Sequence, residues 1–331
     1  MRNFLRAYPT EAKLLAVLIL ICAVLALTSD SFATLGNLTS LLNNNAVNVI
    51  WAVGLLVVLI AGGIDISFAV AASVVQYLCV YAFAAIGGGN WGIGLLFAAS
   101  IGAGLGLINA FLIHQFRIIS IVVTISTFNA FFGLLMFFSS GRFLYNLPSW
   151  WSQRVILWEH QSPDGTWSEI TLPVAVMAVA MASTWALIRH TTTGRQLYAF
   201  GDNAEGARRA GISIGLMQAI AFGWCGAMAG IGGLMQAHIT KEVVPNALVG
   251  RELDVLAAVV LGGARLGGGR GSVLGCFLGV ALVAVTQNGL NLLGVSPYAF
   301  KMVVGVIILL AISTSNIDLA QILAPKRKGR E

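Results

Sequence analysis

Residues 189–214 read RHTTTGRQLYAFGDNAEGARRAGISI, and they lie between two apolar runs, 172–188 and 215–237. No other polar stretch in the second half of the chain carries so clear a local pattern. Asp202 and Asn203 stand where a helix cap belongs, Ala204, Ala207 and Ala210 recur every third residue, and Gly211 closes the turn. The pattern predicts a short, smooth, basic-edged helix outside a membrane. Alanine presents little bulk, so such a helix suits a groove on another protein, with Arg208 and Arg209 left free at its end. A solvated interhelical loop that happens to be helical is the other reading of the same residues.

Working outward, the 331 residues are 58% hydrophobic and 10% charged, with a mean hydropathy of +0.87, whereas a soluble domain is about 25% charged. The chain reads as an integral membrane protein, all-α, a single polytopic domain over residues 1–331. Ten spans are expected, at 14–27, 46–61, 68–86, 91–113, 118–139, 172–188, 215–237, 252–264, 272–292 and 297–314. The long polar stretch 140–171 holds Trp150, Trp151, Trp158 and Trp167, which suggests an interfacial cap.

Basic residues orient the bundle. With both ends of a ten-span chain on one side, only Arg142, Arg154, Lys241, Arg251 and Lys301 of the 19 Lys and Arg fall outside. Segments 1–13, 189–214 and 315–331 are then cytoplasmic and 140–171 periplasmic. This distribution accounts for the net charge of +6 without a nucleic-acid partner.

Catalytic groupings are not apparent. Cys22, Cys79, Cys225 and Cys276 sit singly in apolar runs, and His114, His160, His190 and His238 are isolated, so neither a disulfide nor a metal site is expected. GGARLGGGRG at 262–271 lacks the Gly-Lys-Ser/Thr ending of a phosphate loop. Any nucleotide belongs to a separate subunit, and the chain is not read as an enzyme. The pairs Gly62-Gly63 and Gly262-Gly263 predict spans that stop or bend, exposing backbone that only a cavity or a protein neighbour satisfies. Asp65 beside the first break is a cap on the next span or part of a solute pathway. Asn288 and Asn291, with Gln287, share one helix face, and Asn45 lies among Asn43, Asn44 and Asn48. Neutral amides suit a polyol, and they equally suit interhelical hydrogen bonds.

AGGIDIS at 61–67, GDNAEGARRAGI at 201–212, ELDVLAAVVLGGARLGGGRGSVLG at 252–275 and NGLNLLGVSP at 288–297, in that order, together resemble the membrane permeases of ribose-type ABC importers. The resemblance runs from about residue 43 to 312. It implies an inner-membrane subunit in lipid that pairs with a second permease, takes a monosaccharide or sugar-like solute from a periplasmic binding protein, and is driven by a cytoplasmic ATPase. The chain itself would need no cofactor, ATP being bound by the partner. Gly201, Asp202, Asn203, Ala207, Arg208, Ala210, Gly211 and Ile212 would then contact the ATPase. Phe68 and Ala69 after AGGIDIS, and the 140–171 loop, depart from the pattern and leave the sugar open. The competing reading is a stand-alone ion-coupled secondary transporter, which calls for ionisable residues in mid-span; the expected spans are almost free of them.

Overall fold

The computed structural model describes residues 9–162, 165–296 and the isolated positions 299, 302, 305 and 306. In chain order the helices are α1 (Pro9–Thr28), α2 (Leu35–Ile60), α3 (Phe68–Ile86), α4 (Trp91–Phe116), α5 (Ser120–Ser139) and α6 (Ser149–Ser152). A two-stranded hairpin follows, β1 (Ile156–Gln161) and β2 (Trp167–Thr171). Then come α7 (Leu172–His190), α8 (Thr192–Asp202), α9 (Ala204–Arg209), α10 (Ile214–Thr240), α11 (Arg251–Leu261) and α12 (Val273–Leu292). Among the described residues, 8 helices are long and apolar enough to cross a membrane: α1 to α5, α7, α10 and α12.

The expected eighth span needs correction. It falls on α11, whose 11 residues rise about 16 Å, about half of the hydrocarbon thickness. Arg251, expected in an outer loop, instead opens this short helix. The tenth span, 297–314, falls almost wholly outside the described residues, as do the 315–331 tail and Arg2 and Arg6.

α2 is the axis of the bundle. Every residue from Val49 to Ile60 is buried, and a helix apolar all round is stable only when other helices surround it. α10, α7, α12 and α11 pack on it. Its start was expected near residue 46 but lies at Leu35, because its asparagines bond rather than break the helix. Thr34 Oγ1 accepts from Asn37 N at 3.2 Å. Asn43 accepts from Thr171 N at 3.1 Å and donates Nδ2 to the Glu169 carbonyl at 2.8 Å, tying α2 to β2.

The tightest helix pair is α4 with α10, and its cause is small residues. A Cβ on Gly102 would run into the Gly226 carbonyl, and one on Gly226 into the Gly102 carbonyl. Backbones approach this closely only where side chains are missing. The outer faces of α1, α4 and α5 carry exposed Leu20, Leu96, Leu134, Phe137 and Phe138, the surface expected against lipid.

At one end of the bundle, the hairpin end, the tryptophan-rich stretch divides in two. Trp151 is 0% exposed and donates Nε1 to the Leu234 carbonyl at 2.9 Å. Trp150 stands edge-on to Phe83 and Trp91. Trp158 and Trp167 stay exposed on the antiparallel β1–β2 pair. Half of the cap therefore plugs the bundle and half stands above it.

The glycine contact supplies a test. Gly226→Leu should destabilise the detergent-purified protein by about 1–3 kcal/mol or more, seen as a lowered Tm, because the neighbouring backbone leaves no room. Gly104→Ala, whose Cβ meets nothing within 4 Å, should leave the Tm unchanged.

Candidate functional site

The end opposite the hairpin gathers three of the four sequence motifs. α2 stops there because Gly63 N donates to the Val58 carbonyl at 3.0 Å and Gly62 N to Leu59 at 3.0 Å, with Gly62 at φ 81°. α11 stops in the same way, through Ala264 N to Val259 at 3.3 Å and Gly263 N to Val260 at 2.9 Å. Both glycine pairs thus cap helices, satisfying carbonyls that hydrocarbon could not.

These caps meet the end of α8. A Cβ on Gly201 would strike the Ile60 carbonyl and lie 2.7 Å from Gly269 N. Gly269 N itself donates to the Ile60 carbonyl at 2.9 Å. A Cβ on Gly268 would come within 2.8 Å of Gly201 Cα. Three chain segments therefore touch backbone to backbone at Gly201, with no side chain between them to absorb movement. Tyr198 adds a bond from its hydroxyl to the Gly271 carbonyl at 2.7 Å. Burial pushes its phenol above the ordinary range, so it remains a donor. Ser272 Oγ meets Glu11 Oε1 at 2.7 Å and brings in the start of α1.

The opening sequence stretch folds as two helices rather than one. Thr191 caps α8, its Oγ1 accepting from Gly194 N at 2.9 Å, and Gly194, Leu197 and Phe200 face inward at a spacing of three. Asp202 ends α8 and is exposed. Asn203 caps α9, its Oδ1 accepting from Gly206 N at 2.8 Å. Gly211, at φ 81°, closes α9, with Ile212 N on the Ala207 carbonyl at 3.0 Å. Ala207 is 4% exposed and points into the bundle. The outward surface is made by Ala204, Glu205, Arg208, Arg209 and Ala210. Glu205 pairs with Arg209 at 3.2 Å and Arg208 at 3.9 Å.

Asp65 sits in the non-helical link between α2 and α3. It is 2% exposed, and its Oδ1 accepts from Ser67 N at 2.8 Å and Ser67 Oγ at 2.7 Å. Asn109 donates to Ser67 Oγ at 2.7 Å, and Thr127 to Asn109 Oδ1 at 2.6 Å. From α5, Ser120 Oγ accepts from Ile64 N at 3.0 Å and Thr124 donates to the Ile64 carbonyl at 3.2 Å. The broken backbone is thus bonded by protein on both sides, as membrane depth requires. Asp65 does not meet the expected asparagines.

Those asparagines converge nearer the hairpin end. A cleft of about 310 Å³ between α2 and α12 is lined by Asn44, Asn45, Gln287, Asn288 and Asn291 with apolar neighbours such as Leu41. Their amides have different commitments. Asn288 and Asn37 exchange a reciprocal pair of bonds at 2.8 and 3.0 Å, which joins α12 to α2. Asn45 donates to the Leu41 carbonyl at 3.0 Å and accepts from Asn48 at 3.2 Å. Among the described residues no side-chain bond is formed by Asn44, Gln287 or Asn291, so three free amides face a small open cleft. Helical spacing in the sequence put Gln287, Asn288 and Asn291 on one face; which amides were free was not readable there.

No group of three or more His, Cys, Asp or Glu that could hold a metal occurs among the described residues. Residues 37–312 match the family described as branched-chain amino acid transport system / permease component. The chain is 32% identical over 330 residues to the ribose import permease protein RbsC of Escherichia coli (strain K12), covering 95% of this chain and 96% of that one. The autoinducer 2 import system permease protein LsrC of Photorhabdus luminescens is 28% identical over 92% of this chain and 90% of its own length. The galactose/methyl galactoside import permease protein MglC of Escherichia coli (strain K12) is 27% identical, over 97% and 98%. No solved structure matches the chain. Such relatives are transport subunits rather than enzymes, and they favour an ABC permease over a stand-alone ion-coupled carrier. A permease of this kind implies an ATPase and a substrate-binding protein as partners. The chain belongs to the ribose-type permease family of ABC importers, a non-catalytic component of the inner membrane.

Proposed function

We propose that this chain, paired with a second permease, moves a neutral monosaccharide or sugar-like solute past α2 and α12, and that force enters through α8 and α9 from a cytoplasmic ATPase. The observation that carries this reading is the backbone junction at Gly201, where the α8 end abuts the Ile60 carbonyl and Gly268–Gly269. A push on α9 cannot be lost in side-chain rearrangement there. It reaches α2 and the α11–α12 connection directly, and α2 and α12 are the two walls of the amide cleft.

The side assignment follows from charge. Arg189, Arg195, Arg208, Arg209, Arg265 and Arg270 all lie in the segments that flank this junction, which fits a cytoplasmic face. The hairpin end then faces the binding protein. ATP closes the ATPase dimer, the α9 surface moves with it, and the spans rock between outward- and inward-open states. High affinity is unnecessary in the cleft, because the binding protein supplies capture. Asn44, Gln287 and Asn291 each offer both donor and acceptor to a hydroxyl with no charge to compensate. The relatives named for ribose, galactose and autoinducer 2 import share that hydroxyl-rich chemistry.

Two experiments follow. Arg208→Glu with Arg209→Glu changes exposed side chains only, so insertion and abundance should be kept while ATP hydrolysis by the assembled complex is uncoupled from sugar uptake. Unchanged uptake would remove the α9 docking surface. Separately, Gln287→Ala and Asn291→Ala should each weaken uptake about fivefold, in line with about 1 kcal/mol for a lost neutral hydrogen bond. Asp65→Ala and Asn288→Ala should instead lower protein abundance, because the first removes the bonds to Ser67 that hold the α2–α3 link and the second a bond pair that joins α12 to α2. Full uptake with Gln287→Ala and Asn291→Ala combined would take the cleft out of the pathway.

A further inference from the structure

α11 is half a span, and its two ends are placed by different neighbours. Its last turn lies at the end opposite the hairpin: a Cβ on Gly263 would sit 2.9 Å from Thr10 Cγ2, at the start of α1. From there, 11 residues reach about 16 Å into a hydrocarbon layer of about 30 Å. The first turn of α11 therefore begins near half depth. The segment before it comes down from the hairpin end, where Val243 bridges Leu144. It is non-helical, carried by turns from Ala247 N to Val244 at 3.3 Å and Val249 N to Asn246 at 3.3 Å.

Irregular backbone at such depth survives only inside protein or beside water. Here Glu252, 6% exposed, turns its carboxylate back to Gly250 N, at 3.1 and 3.0 Å to its two oxygens. Gly250 is at φ 93°, a bend that glycine adopts without strain. Glu252 thus fixes the entry to α11. The neighbouring charges have no such use: Arg251 and Asp254 are exposed, and neither has an ion pair among the described residues. Facing lipid, each would cost at least about 2.5–3.5 kcal/mol. That cost argues against lipid and for water.

The first turn is also level with the amide cleft. α11 runs antiparallel to α12, with Gly262 against Gly275 and the Ala258 carbonyl against Gly279. Continuing that register brings Arg251 to the height of Thr286 and Gln287, and Gln287 lines the cleft. We infer that Arg251 and Asp254 continue the passage inward from the cleft and bind the hydroxyls of the sugar in transit. The guanidinium donates in a fork and the carboxylate accepts from two hydroxyls, so a vicinal diol can be held by both. The two charges cancel, which suits a neutral solute. The binding half of this inference rests on the sugar-import reading above; the water-filled passage does not.

The test uses the complex of this chain with its ATPase and binding protein, in a Cys22→Ser background, since the other three cysteines are buried. Asp254→Cys and Arg251→Cys are each treated with a charged, membrane-impermeant methanethiosulfonate. Leu134→Cys on the exposed face of α5 is the lipid-facing reference. Both α11 variants should react at least tenfold faster than the reference, and saturating ribose or galactose, whichever the complex transports, should slow them at least threefold. Reaction as slow as at Leu134→Cys in both variants overturns the passage. Fast reaction that no transported sugar slows overturns the sugar contact. Should the wild-type complex carry neither these sugars nor any other sugar-like solute that its binding protein captures, the import reading fails while thiol reactivity still decides whether water reaches α11. Two variants are used so that one failing to assemble leaves the other to report.

Discussion

Peptide groups cannot be left unbonded in hydrocarbon, and this bundle is arranged around the places where its helices break. Each break has its own closure. Gly62 and Gly263 cap α2 and α11 through left-handed turns. The link from α2 to α3 is held by Asp65 from within and by Ser120 and Thr124 from α5. The bend before α11 is held by Glu252. Broken helices are needed wherever a polar solute must find polar partners at depth, and these closures let the chain keep them without losing the bundle.

The same glycines also set the mechanics. At Gly201, Gly268 and Gly269, three segments meet with no side chains between them. Close backbone contact has little slack, so in the proposed coupling a displacement at α9 would pass to α2 and to the α11–α12 link as a rigid-body motion. α2 is buried from Val49 to Ile60 and cannot bend locally without disturbing α10, α7 and α12 together. A stiff axis with a soft, amide-lined cleft on one side is the arrangement expected for alternating access driven from below.

Much of this was legible in the sequence. Apolar runs placed seven of the first nine spans closely, and the Asn203 cap, the Gly211 closure and both glycine stops are where their residue types predict them. The failures have physical causes. Residues 35–45 read as a loop because asparagine disfavours helices in water, yet Asn37 and Asn43 bond to α12 and to the hairpin and α2 continues through them. Ala207 reads as part of a smooth outer face, but period three is not quite the helical period, and burial turned it inward. α11 reads as a span because its residues are apolar; only its length and its pinned end reveal a half-helix with Arg251, Glu252 and Asp254 at its start. Which amides are free in the cleft depends on partners 251 positions away, as for Asn37 and Asn288, and no local pattern carries that.

The central claim is that this bundle has no driving force of its own and is moved by a neighbour at α9. Reconstituting the purified chain alone in vesicles, under imposed proton and sodium gradients, measures it directly. The account predicts no accumulation of ribose or galactose until the ATPase, ATP and the binding protein are added on their proper sides. Concentrative uptake by the chain alone, driven by either ion gradient, would contradict it.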